Sequence, residues 1–441
     1  MLPFRRFVRP LVVLVLLPIA AIAAQAQQMA YPPSYVTPTH PIVLHAARLL
    51  EVDTGNILTP GEVLVENGLI AAVGTTVPHP ASAQVIDLGD RTLLPGLIDA
   101  HVHLFLHPGA AEDLQTVEES VPERTIYATL AARADLMAGY TAERDMGTEG
   151  AGPADTAVRQ AINEGLIPGP RLQISGNAIS ILGGHEDAIG FNPAQHVLGN
   201  ADYANNIDEI IETIREQHKQ GSTFVKMYQT GHDEMIDGQF HTPYQYTEAQ
   251  LAAAVAEAKR LGTLVGVHAQ GEPGTLYAAE AGVSTLDHAT QLSPETMRIM
   301  KQKGIPAIPT FTIFQYFADH APTPEAARRE RAMLDYKIAD FKKQVAFGIP
   351  FAVGSDVGPF PHGTQAKEFE LMVRYGMTPL AVLQADMING AKVLQMQGHI
   401  GALKPGYYAD VVAVPGNPLN DITDLQHVAF VMKGGVIYKQ P

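Results

Sequence analysis

The chain has 441 residues, 46% hydrophobic and 17% charged, which excludes a disordered protein and exceeds what one ordinary domain needs. Cysteine is absent, which excludes both a disulfide framework and thiolate chemistry. Thirty Lys+Arg against 46 Asp+Glu leave a net charge of −16, unsuited to nucleic acid or anionic membranes.

The first element is a basic start, "MLPFRRFVRP", followed by the apolar run "LVVLVLLPIAAIAAQA". Residues 1–26 read as a secretory signal peptide cleaved after Ala24-Gln25-Ala26. The run is too short for a comfortable membrane span, although a retained anchor is the other reading. Cleavage removes Arg5, Arg6 and Arg9 and leaves the mature chain more acidic still. Export without cysteine suits a bacterial periplasm or exterior, and the paired arginines leave Sec or Tat export open. Residues 27–40 are expected to be a flexible leader without a membrane role after cleavage.

Residues 41–96 contain short alternating stretches separated by turn residues: "PIVLHAARLLEV", "GEVLVENGLIAAVG" and "AQVIDLGDRTLLPG". Residues 397–441 repeat the pattern in "GYYADVVAVPGN" and "VAFVMKGGVIYKQP". The dipeptides in "ENGLI" and "KGGVI" are hairpin turns. Together the two ends are expected to assemble one small β-sandwich.

Between them, residues 97–396 alternate strand and helix patterns. The strand candidates are "GLIDAHVHLFL", "GYTAERDM", "RLQISGNAI", "TFVKMYQ", "LVGVHAQ", "STLDHAT", "IPAIPTFT" and "IPFAVGSD". Helix-like runs such as "PERTIYATLAARADLMA", "NIDEIIETIREQHKQ" and "TEAQLAAAVAEAKRLG" follow most of them. The expected fold class is α/β, a (β/α)8 TIM barrel carrying the small sandwich. A doubly wound sheet is the alternative, but no G-x-G-x-x-G follows the first strand.

In such a barrel the chemistry lies at the C-terminal strand ends. His101 and His103 end the first strand two residues apart, so both point to one side of it. Lys226 lies on the fourth strand, His268 ends the fifth, His288 the sixth and Asp356 the eighth. Any one histidine alone reads as a satisfied core or surface residue. Four imidazoles and a carboxylate on four strand ends point instead to zinc or a similar divalent ion. His40, His45, His79, His196, His218, His320, His399 and His427 keep the ordinary reading.

"LPGLIDAHVH", the lysine of "FVKMYQ", "VHA", "LDHA" and "GSD" resemble the amidohydrolase superfamily over about residues 41–439. The likeness is to its imidazolonepropionase-like branch, which includes Xaa-Pro dipeptidases, related carboxypeptidases and ochratoxin-degrading amidohydrolases. The resemblance implies two divalent metal ions, zinc first among them. It places His101, His103 and Asp356 on the first ion, and His268 and His288 on the second. Lys226, carboxylated by CO2, would bridge both, which removes the repulsion an ammonium would suffer beside two dications. An uncarboxylated Lys226 paired with an inward aspartate is the alternative. The implied chemistry is attack of metal-activated hydroxide on an amide carbonyl, with Asp356 as the catalytic residue that moves the proton.

For the substrate, His185 in "ISILGGHEDAIG", Tyr228 and His362 in "SDVGPFPHG" are expected near the site mouth. A capped loop histidine fits His185 equally well, and a core role fits Tyr228. Residues 230–246 are long and polar enough to form a specificity loop. Dipeptidase relatives place an aromatic and an arginine after the fifth-strand histidine, whereas this chain has Gln270, Leu276 and Tyr277. A free substrate C-terminus is therefore not assumed, and Arg144 and Arg171 are the other cations available to it. The expected activity is amide hydrolysis in a dipeptide or an N-acyl amino acid such as ochratoxin A. Cyclic-amide hydrolysis and a non-catalytic barrel are the alternatives. The expected assembly is a homo-oligomer, an octamer among the options.

Overall fold

The computed structural model describes residues 33–441 apart from 110, 111, 193 and 238. The expected signal peptide and the first part of the leader lie outside the described residues. No helix among the described residues is long and apolar enough to cross a membrane.

Parallel pairing runs through the middle of the chain. Leu97–Val102 pairs with Tyr140–Asp145, which pairs with Arg171–Ile174. The expected third strand then breaks at Ser175–Asn177 and resumes at Ala178–Ser180, where Ile179 pairs with Met227. From Val225–Tyr228 the ladder continues through Val265–Ala269 and Thr285–His288 to the two-residue strand Ala307–Ile308. The expected eighth strand is not continuous: it makes isolated parallel bridges, Phe351 to Ala307 and Val357 to Val102. Gly354 explains this close approach, because a Cβ there would lie 2.8 Å from His101 Cβ.

The helices begin where sequence chemistry says they should. Thr247 and Gln250 form a reciprocal capping box at the start of Glu248–Arg260. Leu251, Ala254 and Ala258 recur at helical spacing and are buried. Asn206 and Gly221 cap the two ends of Ile207–Gln220. After Ala307–Ile308 come two helices that the strand–helix alternation did not anticipate, Phe311–His320 and the 24-residue Pro324–Phe347.

The two chain ends meet in one sheet, because Val411–Pro415 pairs antiparallel with Arg91–Pro95. That six-stranded sheet and a four-stranded one share a buried cluster, including Leu44, Val63 and Ile70 from one and Leu93, Val411 and Phe430 from the other. The hairpin turns fall at Asn67-Gly68 and Gly434-Gly435, all four residues at positive φ. That conformation favours glycine and asparagine and matches the twist of the flanking strands.

Candidate active site

A cavity of about 1240 Å³ opens at the C-terminal ends of the parallel strands. His101, His103, Lys226, His268, His288 and Asp356 all line it. His101 Nε2 and His103 Nε2 are 3.3 Å apart, and each faces Asp356 Oδ1, at 3.4 and 3.2 Å. Donor atoms of these three residues lie within 4.8 Å of one another. The His288 ring is 4.4 Å from that of His268 and 5.1 Å from that of His101. Two members, His288 and Asp356, hold positive φ of 66° and 63°. Such strain in non-glycine residues concentrates at functional sites.

Outer partners orient the rings. His103 Nδ1 lies 2.8 Å from Glu149 Oε1, and His288 Nδ1 lies 2.8 Å from Thr310 Oγ1. His101 Nδ1 is 3.9 Å from Asp287 Oδ1, which also accepts from Arg144 at 3.1 Å. Neither Glu149, Asp287 nor Thr310 stood out in the sequence. Asp287 precedes His288 on its strand, whereas Glu149 and Thr310 follow Tyr140–Asp145 and Ala307–Ile308, strands that carry none of the expected metal ligands. Only long-range packing connects each to its histidine.

The electrostatics favour neutral imidazoles. Burial drives His101 down to about 4, and burial with nearby cations drives His268 and His288 well below their ordinary values. His103 is the exception: although burial opposes it, Asp356 and Glu149 raise it well above its usual value. Burial pushes Asp356 up, but the charges of His101, His103 and Lys226 overcome this and hold it below the usual carboxylate range. Lys226 is lowered chiefly by burial. No carboxylate pairs directly with its Nζ among the described residues, and the Nζ lies over the Tyr228 ring at 4.8 Å. The pairing with an inward aspartate is not formed, since Asp287 is taken by Arg144.

This donor set fits divalent ions. His268 Nε2 is buried with no hydrogen-bond partner among the described residues, and donors of His101, His103 and Asp356 lie within 4.8 Å of one another. Neutral imidazole and carboxylate are the ligand types such ions require.

Of the expected substrate residues, His185 and Tyr228 line the cavity and stack on each other at 4.6 Å. His185 also stacks on His232, which the sequence did not single out. Although burial opposes it, Glu186 raises His185 above its ordinary value, with its carboxylate 3.3 Å away. His362 is not among the cavity-lining residues: its Nδ1 lies 2.7 Å from Asp135 Oδ2, against the helix Val121–Ala138. Arg144 is buried beneath the ligands, and Arg171 pairs with Asp410 and covers Tyr408, so neither lines the cavity. The lining cation besides Lys226 is Arg329. Residues Glu234–Ile236 and Gln239–His241 turn the expected specificity loop into a small hairpin, which contributes Met235 and Ile236 to the cavity. The helix Phe311–His320 adds Ile313, Phe314, Tyr316, Phe317 and His320. His320 had kept the ordinary reading.

A strand-end cluster of this kind suits a metal-dependent enzyme, and the chain belongs to the Amidohydrolase family, whose model matches residues 92–438. It is a hydrolase acting on C–N bonds. It is 29% identical to ochratoxinase from Aspergillus niger over 433 residues, 90% of this chain and 87% of that protein. Imidazolonepropionase from Geobacillus kaustophilus is 25% identical over 424 residues, 86% of this chain and 90% of that protein. Among solved structures, a Xaa-Pro dipeptidase with methionine bound in its active site superposes with a TM-score of 0.82 at 28% identity, covering 90% of this chain and all of the other.

Proposed function

We propose that this protein is an exported, binuclear metal-dependent amidohydrolase that cleaves the amide bond of a dipeptide-like or N-acyl amino acid substrate, ochratoxin A among them. The observation that carries the reading is the convergence of His101, His103 and Asp356 donors beside the unpartnered His268 Nε2 and the unpaired Lys226, all in one cavity. The frame is read as a closed (β/α)8 barrel at 97–396, with a sandwich made from 41–96 and 397–441. The basic, apolar residues 1–26 support export to the periplasm or exterior, and the working form is read as a homo-oligomer.

His101, His103 and Asp356 would hold one ion and His268 and His288 the other. Divalent ions bound there, zinc first among them, supply Lewis acidity toward a carbonyl and make water a stronger acid. Burial favours the neutral amine of Lys226, which adds CO2 to give an N-carboxylate and one proton. The resulting anion supplies two oxygens where an ammonium would repel the ions.

The residues divide the remaining work. Asp356 Oδ1 faces His101 and His103, and Oδ2, 3.8 Å from His288 Nδ1, would take the proton of the attacking water and deliver it to the leaving nitrogen. His185 and His232, stacked together on the cavity lining, would meet a substrate carbonyl or carboxylate. The aromatic and aliphatic wall from Ile313, Phe314, Tyr316 and Met333 accepts an apolar acyl portion or side chain.

The test is a hydrolysis screen of the metal-reconstituted protein against N-acyl amino acids, dipeptides and ochratoxin A, with chelator controls. Chelator-sensitive release of an amino acid is expected. Inactivity on every amide, lactam and lactone would overturn the enzyme reading, and fewer than two ions per active chain would overturn the binuclear one.

A further inference from the structure

The helix Pro324–Phe347 meets the site along two stretches. Its first turns line the cavity through Ala326, Arg329, Glu330 and Met333. Farther along, Lys337, Asp340 and Gln344 are buried and recur at the three- and four-residue spacing that places side chains on one helix face. All three grip the backbone that follows the sixth parallel strand. Lys337 Nζ donates to His288 O at 2.5 Å and to Thr290 Oγ1 at 3.1 Å. Gln344 Nε2 donates to Ala289 O at 2.6 Å and to Asp340 Oδ2 at 2.8 Å. Asp340 Oδ2 in turn accepts from Gln291 N at 2.8 Å.

The gripped stretch is the strained one. His288, Ala289 and Gln291 have φ of 66°, 48° and 61°, conformations that non-glycine residues adopt only where the surroundings enforce them. The turn carries the His288 ring, whose orientation is fixed separately by Thr310 Oγ1. Thr310 is itself left-handed, at φ 51°. It is followed by Phe311 and Thr312, whose N–H groups donate to the buried Glu368 at 2.8 and 2.7 Å. Backbone and ring of one histidine are thus held from two directions, by Lys337 and by Thr310.

We propose that Lys337, supported by Gln344 and Asp340, is a positioning residue for His288. It fixes the carbonyls of the left-handed turn so that the imidazole projects toward His268, His101 and Asp356. This inference rests on the reading of His288 as a metal ligand. Because the same helix bounds the cavity, the second metal position and the substrate wall share one rigid support.

The test compares wild type, Lys337→Met, Gln344→Ala and, as a control, Lys342→Met at an exposed position of the same helix. Cobalt(II) binding is measured by chelator competition and by its ligand-field absorption, and kcat and KM are followed against added cobalt. In Lys337→Met, one of two ions should bind about 10- to 100-fold more weakly, the effect typical of losing an outer-sphere partner. Its absorption band should shift, kcat should recover at excess metal, and KM should stay unchanged. Wild-type affinity and spectrum in Lys337→Met overturn the proposal even if its thermal midpoint falls, because the ladder is then merely structural. Should Lys337→Met fail to fold, Gln344→Ala carries the test on the same criteria. A wild type that binds fewer than two ions and cleaves no amide condemns the binuclear reading instead.

Discussion

His103 Nδ1 lies 2.8 Å from Glu149 Oε1, and this contact turns the other ring nitrogen toward His101 and Asp356. A carboxylate behind a ligand imidazole fixes its tautomer and raises its basicity. Glu149→Gln keeps the shape but removes the charge. Metal affinity should fall about 10- to 100-fold, as is usual for such partners, with little change in the thermal midpoint of the metal-free protein. Chelator competition reads the effect, and an unchanged affinity would show that Glu149 only fills space.

Lys226 is buried in an apolar strand, and no carboxylate among the described residues pairs with it. Lys226→Ala should lose bound metal and activity together. Small carboxylic acids added in solution should restore part of both, since they supply the two oxygens that the carboxylated amine would provide. Retention of metal and turnover by the variant would refute the bridging role.

Asp356 Oδ1 stands 3.4 and 3.2 Å from His101 and His103, and its Oδ2 lies 3.8 Å from His288 Nδ1. Asp356→Asn removes the proton acceptor while keeping much of the geometry. Turnover should drop by about 10²- to 10⁴-fold, the range for losing a general acid–base group, and KM should change far less. Steady-state kinetics at saturating metal separate this from simple metal loss. Full turnover would place the proton transfer elsewhere.

The gathering of His101, His103, Lys226, His268, His288 and Asp356 in one cavity was legible because strand periodicity puts residues two apart on one side and ends each strand at a turn. His101 with His103, and the histidines closing "VHA" and "LDHA", follow from that pattern. The fate of the cations was not legible. Arg144 looked available to a substrate, yet its partner Asp287 is 143 positions away and claims it beneath the site. His362 likewise follows the expected eighth strand, but Asp135 holds it outside the cavity lining. The helices Phe311–His320 and Pro324–Phe347 could have been suspected: roughly forty residues separate the seventh and eighth strand candidates, more than one crossover helix requires. What they contact depends on tertiary packing, which local periodicity does not encode.

Phe317 is exposed at 45% although it lines the cavity, so it adds apolar surface for a substrate more than for the core. Phe317→Ala should leave the thermal midpoint nearly unchanged. For substrates with a bulky aromatic acyl group, kcat/KM should fall about three- to tenfold through KM, since only part of the ring's burial energy is at stake. Small acyl groups should be affected little. Equal losses for both would mean that the ring orders the helix and does not meet the substrate.

His362 and Asp135 give a pH signature of their own. Burial lowers the His362 value, but the Asp135 carboxylate, 2.7 Å away, prevails and raises it above its ordinary 6.5. A basic group raised in the folded state binds its proton more tightly there than when unfolded. Its contribution to stability is therefore complete below pH 6.5 and is lost as pH rises through the higher folded-state value. The wild-type thermal midpoint should carry a decline across that window which His362→Gln lacks. Thermal unfolding of both proteins in matched buffers from mildly acidic to mildly alkaline pH measures the difference. Parallel curves would show that His362 stays neutral and that the contact with Asp135 is an ordinary hydrogen bond.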